Sequence, residues 1–178
     1  MEFADGTGWE SWLDSNHAVC TEAWLRIAKR QSGLPGISIG DALDGALCFG
    51  WIDGQRQGLD EVSFLQRYSR RRARSSWSKV NVAKVEALIA AGRMRPAGLA
   101  EVEAAQEDGR WQAAYEPQRT AAVPPDLATA LAGDPRAAAA FERLGRSERY
   151  GIVLPLLKAR TPETRARLAR ALERLTAS

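Results

Sequence analysis

The spacing of apolar residues changes along this chain, and that change limits the possible folds more than any other feature of the sequence. Residues 23–29 and 63–69 alternate apolar and polar side chains, as strands with one buried face do. From Ser78 onward, apolar residues recur at helical spacing. The sequence therefore predicts an α+β fold, with a small antiparallel sheet packed with helices in the N-terminal half and a helical C-terminal half.

Capping signals and turn residues place the elements of the N-terminal half. A Thr-x-x-Glu capping box at Thr7 predicts a short helix after it. A Ser-x-x-Asp signal at Ser38 predicts a second helix, which should end at Gly50. The pair Asp53-Gly54 is typical of a tight turn, so we expect residues 51–69 to form strands of an antiparallel meander.

Start and stop signals divide the C-terminal half into helices. The first helix after Ser78 should bury a stripe made of Val82, Val85, Leu88 and Ile89. The next is expected over Pro96–Glu107, and three later ones should start at Asp134, Ser147 and Thr161. Pro155 lies inside the second of these three helices and should kink it or shift its start.

A proline-rich loop over residues 116–126 is the plausible domain boundary. We expect an α+β domain over residues 1–115 and a helical region over 122–178 that packs on it to form one compact unit. The last helix should carry leucines inward and a basic strip outward, namely Leu168, Leu172 and Leu175 against Arg167, Arg170 and Arg174.

Cysteine usage and the N-terminal sequence indicate a reducing compartment. Cys20 and Cys48 have no CxxC spacing and lie among apolar residues, so we expect buried free thiols rather than a disulfide. The N-terminus has neither the basic nor the apolar region of a signal peptide. No apolar run approaches the roughly 18 residues that a membrane span requires. We therefore expect a cytoplasmic location and no membrane span.

One segment concentrates the positive charge. Seven basic residues and no acidic ones lie between Glu61 and Glu86, so this stretch carries +7 and the rest of the chain −4, within a net charge of +3. Arginines in a loop between a strand and a helix can present guanidinium groups to phosphates, and nearby aromatic rings can stack on bases. These features predict an anion or nucleic-acid site made of Arg67, Tyr68, Arg70, Arg71, Arg72, Arg74, Trp77, Lys79 and Asn81.

The same charges also fit a purely structural interpretation. A basic segment can be a solvated surface, or it can pair with carboxylates of its own chain. The acids that could take this part are Asp60, Glu101, Glu103 and Glu107. Both interpretations remain open at the level of sequence.

The catalytic motifs that occur in the sequence fail in their local context. Residues 36–40 fit the pattern G-x-S-x-G, but a nucleophile elbow needs a preceding strand and a later histidine. The single histidine, His17, comes before Ser38, which is better explained as a helix cap. One histidine without a cysteine pair does not make a transition-metal site. The sequence favours a non-catalytic protein without cofactor or metal and leaves an activity open.

A series of short motifs that are typical of one protein family extends from about Trp9 to the C-terminus. They are Ala42-Leu43, Ala46–Gly54, Leu65–Tyr68, Ser76–Asn81, Gly92–Met94, Gly109–Trp111, Ala114-Tyr115 and Pro162–Arg165. In combination they resemble the YdeI/OmpD-associated family, which is also labelled bacteriocin-protection. The resemblance implies an N-terminal half related to small α+β proteins of the frataxin-like and double-wing type, some of which are suspected of binding DNA. It also implies a role in tolerance of antimicrobial peptides or envelope stress, and it brings no reaction, cofactor or catalytic residue.

Three functional hypotheses follow from these observations. The first is a non-catalytic binding or stress-protection protein whose segment 67–81 binds a polyanion, with nucleic acid as the leading partner. The second is a tolerance factor that acts through a protein partner and has no nucleic-acid role. The third is a small-molecule site between the sheet and the C-terminal helices, which no motif would reveal.

Overall fold

The computed structural model describes residues 1–166 and confirms the α+β class. In chain order the elements are α1 (Gly6–Asn16), β1 (Glu22–Ala28), α2 (Ile39–Cys48), β2 (Trp51–Gly58), β3 (Ser63–Arg70), α3 (Lys79–Ala90), α4 (Pro96–Glu107), α5 (Pro125–Gly133), α6 (Pro135–Arg143) and α7 (Arg146–Lys158). A further helical turn covers residues 162–166. None of the helices within the described residues is long and apolar enough to cross a membrane.

The chain divides into two compact units. The first holds Met1–Trp77 together with Asn81–Ala113, and the second holds Ser78–Val80 and the described residues from Ala114 on. The sheet and helices α1, α2 and α4 belong to the first unit, and α5, α6 and α7 belong to the second.

The sheet has the strand order β1-β3-β2, and the central strand β3 pairs antiparallel with both neighbours. The meander is therefore confirmed for β2 and β3, but the predicted turn at residues 53–54 is wrong. β2 runs through this pair with a register irregularity between Asp53 and Arg56. The chain reverses later, where a carboxylate oxygen of Asp60 accepts hydrogen bonds from the amides of Val62 (2.9 Å) and Ser63 (2.6 Å).

The two N-terminal helices differ in how well their caps were predicted. Helix α1 is capped by Asp5, whose side chain accepts a hydrogen bond from the Gly8 amide at 2.9 Å, so the capping box at Thr7 is wrong. The acid of that box, Glu10, instead pairs with Arg93 at 2.6 Å. Helix α2 begins after Ser38 as predicted, because the Ser38 hydroxyl accepts a hydrogen bond from the Asp41 amide at 3.1 Å.

Aromatic rings form the centre of the first unit. Trp9 has no exposed surface, and its ring centroid lies 5.4 Å from that of Phe3, 5.3 Å from that of Trp12 and 5.8 Å from that of Tyr68. The Trp9 indole donates a hydrogen bond to the Ala42 carbonyl at 3.0 Å. This cluster joins α1, α2 and the buried face of the sheet.

Helices α3 and α4 follow the predicted bounds closely. Val85 and Leu88 are buried in α3 as expected, whereas Ile89 is exposed and was wrongly assigned to the stripe. Helix α4 has the predicted bounds, with Pro96 at its first position.

The second unit has its own apolar core. Leu127, Phe141, Val153 and Leu156 form its buried centre. The start at Asp134 is confirmed, because its carboxylate accepts from the amides at the head of α6. Helix α7 begins at Arg146 rather than Ser147 and contains Pro155 inside it, and α5 was not predicted.

The end of the chain is described only in part. Thr161 caps the helical turn at 162–166, since its hydroxyl accepts a hydrogen bond from the Thr164 amide at 3.2 Å. The leucines and arginines predicted to form two faces of the last helix, Leu168, Leu172, Leu175, Arg167, Arg170 and Arg174, lie outside the described residues.

Candidate anion-binding site

The predicted site residues separate into a buried group and an exposed group. Tyr68, Arg71, Trp77 and Asn81 keep only 0%, 6%, 2% and 8% of their surface exposed. Tyr68 and Trp77 are therefore core residues, and their rings are not available to stack on bases. The prediction that these two rings bind bases is wrong. Burial also raises the pKa of the Tyr68 hydroxyl well above its usual range.

Arg71 has a structural position under the loop. Its guanidinium carbon lies 3.5 Å from the centroid of the Trp77 ring, and Trp77 packs edge-on against Trp111 at 4.8 Å. Its backbone amide donates to the Gly50 carbonyl at 3.0 Å, and one guanidinium nitrogen donates to the Ser76 carbonyl at 3.4 Å. Arg71 thus helps to stabilise the chain between β3 and α3.

A second buried arginine holds the same loop. Arg110 is 5% exposed, and it donates to the Ser75 carbonyl at 3.1 Å and to an Asp108 carboxylate oxygen at 2.6 Å. Burial raises the pKa of the nearby Glu101 carboxyl, although the positive charges of Arg71 and Arg110 act in the opposite direction. The loop therefore rests on two buried cations.

Three cations of the basic segment are engaged by carboxylates of the chain. Arg67 donates to Glu22, with its Nε at 2.8 Å from the carboxylate oxygen, and this hydrogen bond lowers the pKa of the Glu22 carboxyl. Lys79 pairs with Glu116, and Lys84 pairs with Asp44 at 2.6 Å. These three cations do pair with carboxylates of their own chain, as the structural interpretation expected. The acids that pair with them are not the ones that were predicted.

The exposed arginines that remain are Arg70, Arg72 and Arg74. Arg70 donates through its Nε to the Cys20 carbonyl at 2.9 Å, which fixes the side chain without neutralising its charge. Within residues 1–166, none of the three has a carboxylate oxygen within 4.0 Å of its guanidinium nitrogens. The exposed arginine loop, by which we mean residues 70–75 with these three side chains, is therefore the part of the predicted site that can meet an anion.

The backbone of the exposed arginine loop is unusual at Arg74. The Ser75 amide donates to the Arg72 carbonyl at 2.9 Å, which closes a tight turn, and the Arg72 amide donates to the Ser75 hydroxyl at 3.1 Å. Arg74 occupies the third position of this turn with φ 72°, in the left-handed region that favours glycine. An arginine at that position costs roughly 1–2 kcal/mol of backbone strain.

The motif at residues 36–40 has a structural role. Ser38 caps α2, and its hydroxyl donates to the Asp41 carboxylate at 2.7 Å. His17 ends α1, with Nδ1 at 2.8 Å from the Leu13 carbonyl and its ring beside Phe49. Neither side chain is placed as the base or nucleophile of a catalytic pair.

Both cysteines are free; Cys48 is buried as predicted, while Cys20 is half-buried. Burial raises the pKa of the Cys48 thiol to about 11, so about one Cys48 in a thousand is a thiolate at pH 8. We expect a thiol reagent at that pH to label the native protein at Cys20 and to reach Cys48 only after unfolding. Mass spectrometry of labelled protein measures this, and a C20S variant that is labelled within minutes would contradict it.

A polar groove of about 840 Å³ lies along α1, apart from the exposed arginine loop. Its lining carries both signs of charge, from Glu10, Asp14, Asp41, Arg93 and Arg95. Because Arg93 is already paired with Glu10, this groove does not select a ligand of one charge. Sequence analysis missed it, since Arg93 and Arg95 stand outside the basic segment and no motif joins them to α1.

Comparisons with known proteins match two families on separate parts of the chain. The sequence model of a domain of unknown function (DUF8412) matches residues 1–101. The sequence model of the family described as bacteriocin-protection, YdeI or OmpD-associated matches residues 120–177. No curated protein and no solved structure matches this chain.

The second match confirms the family resemblance found in the sequence, but over a shorter part of the chain than expected. That resemblance was placed from about Trp9 to the C-terminus, whereas the YdeI or OmpD-associated match covers residues 120–177 and, of the quoted motifs, includes Pro162–Arg165. The motifs from Ala42 to Met94 fall under the other family. Residues 120–177 match the model of the YdeI or OmpD-associated bacteriocin-protection family. Residues 1–101 are more than half of the chain, and the protein therefore belongs to the family of this domain of unknown function.

Proposed function

We propose that this protein is a non-catalytic binding protein whose exposed arginine loop holds a phosphate polyanion, with nucleic acid as the first candidate. The observation that carries the proposal is the group of three exposed guanidinium groups within five residues, none of them met by a carboxylate of the described chain. Guanidinium groups bind phosphate oxygens by paired, charge-assisted hydrogen bonds.

The strained turn supports the same proposal. Arg74 occupies a left-handed position that glycine would adopt without strain. Backbone strain persists only where the surrounding structure offsets it, and strained residues cluster at functional sites. In this case the buried Arg71 and Arg110 hold the loop from below.

The burial of the aromatic rings defines what kind of nucleic acid would bind. The two rings that were expected to stack on bases, Tyr68 and Trp77, are not available at the surface. Binding would then depend on phosphate charge, and duplex DNA would be held at least as well as a single strand of equal length. Sequence preference would be weak, since phosphate contacts carry no base information.

The test is the salt dependence of duplex binding, measured by fluorescence anisotropy with the R70Q/R72Q/R74Q variant. Three phosphate contacts contribute about 2.7 to the slope of log K against log salt, at about 0.9 per contact. We expect the variant to lose most of that slope and roughly tenfold to a hundredfold in affinity at about 50 mM salt. The matched control is R30Q/R136Q/R143Q, which removes three other exposed arginines and changes the net charge equally.

A second variant separates binding from stability. R74G should leave the free energy of unfolding unchanged or raise it by up to about 1 kcal/mol, since it relieves the left-handed strain. The same variant should weaken duplex binding. If the native protein shows no duplex binding at low salt, or if the two triple variants bind alike, the proposal fails.

A role in tolerance of antimicrobial peptides or envelope stress is the alternative proposal. What supports it is the description of the family that matches residues 120–177. Such a role would act through a protein partner and would not need the exposed arginine loop. Affinity capture before and after nuclease digestion distinguishes the two, because a partner held through nucleic acid is released by digestion.

A further inference from the structure

A cavity of about 430 Å³ lies within the second unit, between helices α6 and α7 and the loop at residues 118–123. This volume is in the range of small-molecule sites, about 300–1,000 Å³. Phe141, Leu144 and Val153 supply apolar lining, and Phe141 and Val153 are buried members of the core of this unit.

Three arginines line the same cavity, and none of the described residues that line it is acidic. They are Arg119 in the loop, and Arg146 and Arg149 in the first turn of α7. Arg119 and Arg146 are exposed, and within residues 1–166 no carboxylate oxygen lies within 4.0 Å of any of the three guanidinium groups. The cavity thus joins an apolar wall to three positive charges that the described chain does not neutralise.

Arg149 is held in place by neutral groups. Its Nε donates to the Leu144 carbonyl at 2.9 Å, and one of its terminal nitrogens donates to the Glu142 carbonyl. Its guanidinium carbon lies 5.7 Å from the centroid of the Phe141 ring. Because backbone carbonyls carry no net charge, these bonds order the side chain and leave its positive charge intact.

The loop side of the cavity is also fixed by hydrogen bonds. The Gln118 amide nitrogen donates to the Ser147 hydroxyl at 3.1 Å, and the Tyr150 hydroxyl donates to the Glu116 carbonyl at 2.9 Å. These two contacts tie the start of the loop to α7. The cavity is therefore formed before any ligand arrives, which reduces the entropic cost of binding.

We infer that this cavity binds an amphiphilic anion, with one carboxylate or phosphate head group and an aliphatic body. The head group would take charge-assisted hydrogen bonds from Arg119, Arg146 and Arg149, and the aliphatic body would lie on Phe141 and Val153. A strongly hydrated polyanion would gain no binding free energy from an apolar wall. This cavity therefore differs from the exposed arginine loop in the class of ligand that it binds.

The test compares ligands that share one alkyl chain and differ in the head group. Decanoate and decyl phosphate should bind at micromolar to millimolar concentration, and decanol and decyltrimethylammonium should bind at least about tenfold more weakly. Affinity should rise about threefold to fourfold for each methylene added between hexanoate and decanoate, as expected for buried CH₂ groups. Methyl NMR spectra of the full chain should place the shifts at Val123, Leu144 and Val153.

Arginine variants test which positive charges the binding of decanoate depends on. R146Q should weaken decanoate binding at least about tenfold, the value of one lost hydrogen bond to a charged group. The matched control R143Q removes an exposed arginine of α6 that does not line the cavity, and it should leave the affinity unchanged. The variant R70Q/R72Q/R74Q should also bind decanoate normally, so this inference can fail or hold independently of the polyanion proposal.

Two results would overturn the inference. Equal affinity for decanol and decanoate would mean that the arginines do not bind the head group. Equal affinity for acetate and decanoate would mean that the apolar wall contributes nothing. A preference for decyl phosphate over decanoate, or the reverse, would identify the head group.

Discussion

Replacing Trp9 by alanine is expected to lower the free energy of unfolding by about 3–5 kcal/mol, the usual cost of truncating a fully buried tryptophan. The ring packs among Phe3, Trp12, Trp51 and Tyr68 with centroid distances between 5.3 and 6.3 Å, so a cavity would open between α1 and the sheet. The variant would also lose the hydrogen bond from the indole to the Ala42 carbonyl. Together these losses approach the total stability of many domains.

Urea unfolding followed by tryptophan fluorescence measures this effect, because all six tryptophans lie within residues 1–113. The matched control is W24A, since Trp24 is half-buried on the other face of β1 and should cost only about 1 kcal/mol. W9F should fall between the two, as it keeps an aromatic ring and loses the hydrogen bond. An equal loss in W9A and W24A would show that Trp9 is not the centre of this core.

Elements were predicted well where local chemistry decides the structure. The Ser38 hydroxyl caps α2 through a contact three residues away, and Asp134 caps α6 in the same manner. The bounds of α4 follow from Pro96 and from Gly109, whose φ of 76° ends the segment. In each case a few neighbouring residues contain all the information that is needed.

The errors occurred where distant groups compete with a local signal. Glu10 is the acid of an apparent capping box, but it pairs with Arg93, and Asp5 caps the helix instead. Asp53-Gly54 has turn chemistry, yet pairing with β3 keeps it in a strand, and Asp60 closes the turn. Tertiary contacts outweighed propensity in both places.

The sequence predicted the positive charge of the candidate site, but it did not predict which of the site's side chains are exposed. A count of charges treats all the arginines of the segment alike, whereas the fold buries Arg71 against Trp77 and pairs Arg67 with Glu22. Lys79 forms an ion pair with Glu116, which lies 37 positions away in the sequence. The distinction between a structural and an available cation depends on such long-range contacts, which a single sequence does not display.

The cavity of the second unit was beyond sequence reasoning for a related cause. Its three arginines are spread over residues 119–149 and form no local cluster. They meet because the loop at residues 118–123 and the start of α7 line the same cavity. No periodicity or motif in the sequence indicates that these three arginines lie close together.

The approach of α4 to the end of α2 depends on a glycine. An ideal Cβ at Gly98 would lie 2.3 Å from the carbonyl oxygen of Cys48 and 2.8 Å from the terminal methyl of Met94. The methionine can move, but the carbonyl is backbone and accepts a hydrogen bond from the Arg95 amide at 3.0 Å. A side chain at this position would therefore force the two elements apart by about 1 Å, given ordinary carbon–oxygen contacts near 3.3–3.6 Å.

G98A is accordingly expected to lower the free energy of unfolding by about 1–3 kcal/mol, because overpacking outweighs the gain of up to about 1 kcal/mol that alanine gives inside a helix. The matched control is G8A in α1, where the added methyl meets its nearest atom at 3.5 Å and should be neutral or stabilising by up to about 1 kcal/mol. Urea unfolding followed by tryptophan fluorescence reports on both, since both glycines lie in the first unit. The opposite signs follow from steric contact alone, so a G98A protein as stable as G8A would mean that α4 does not lie against the Cys48 carbonyl.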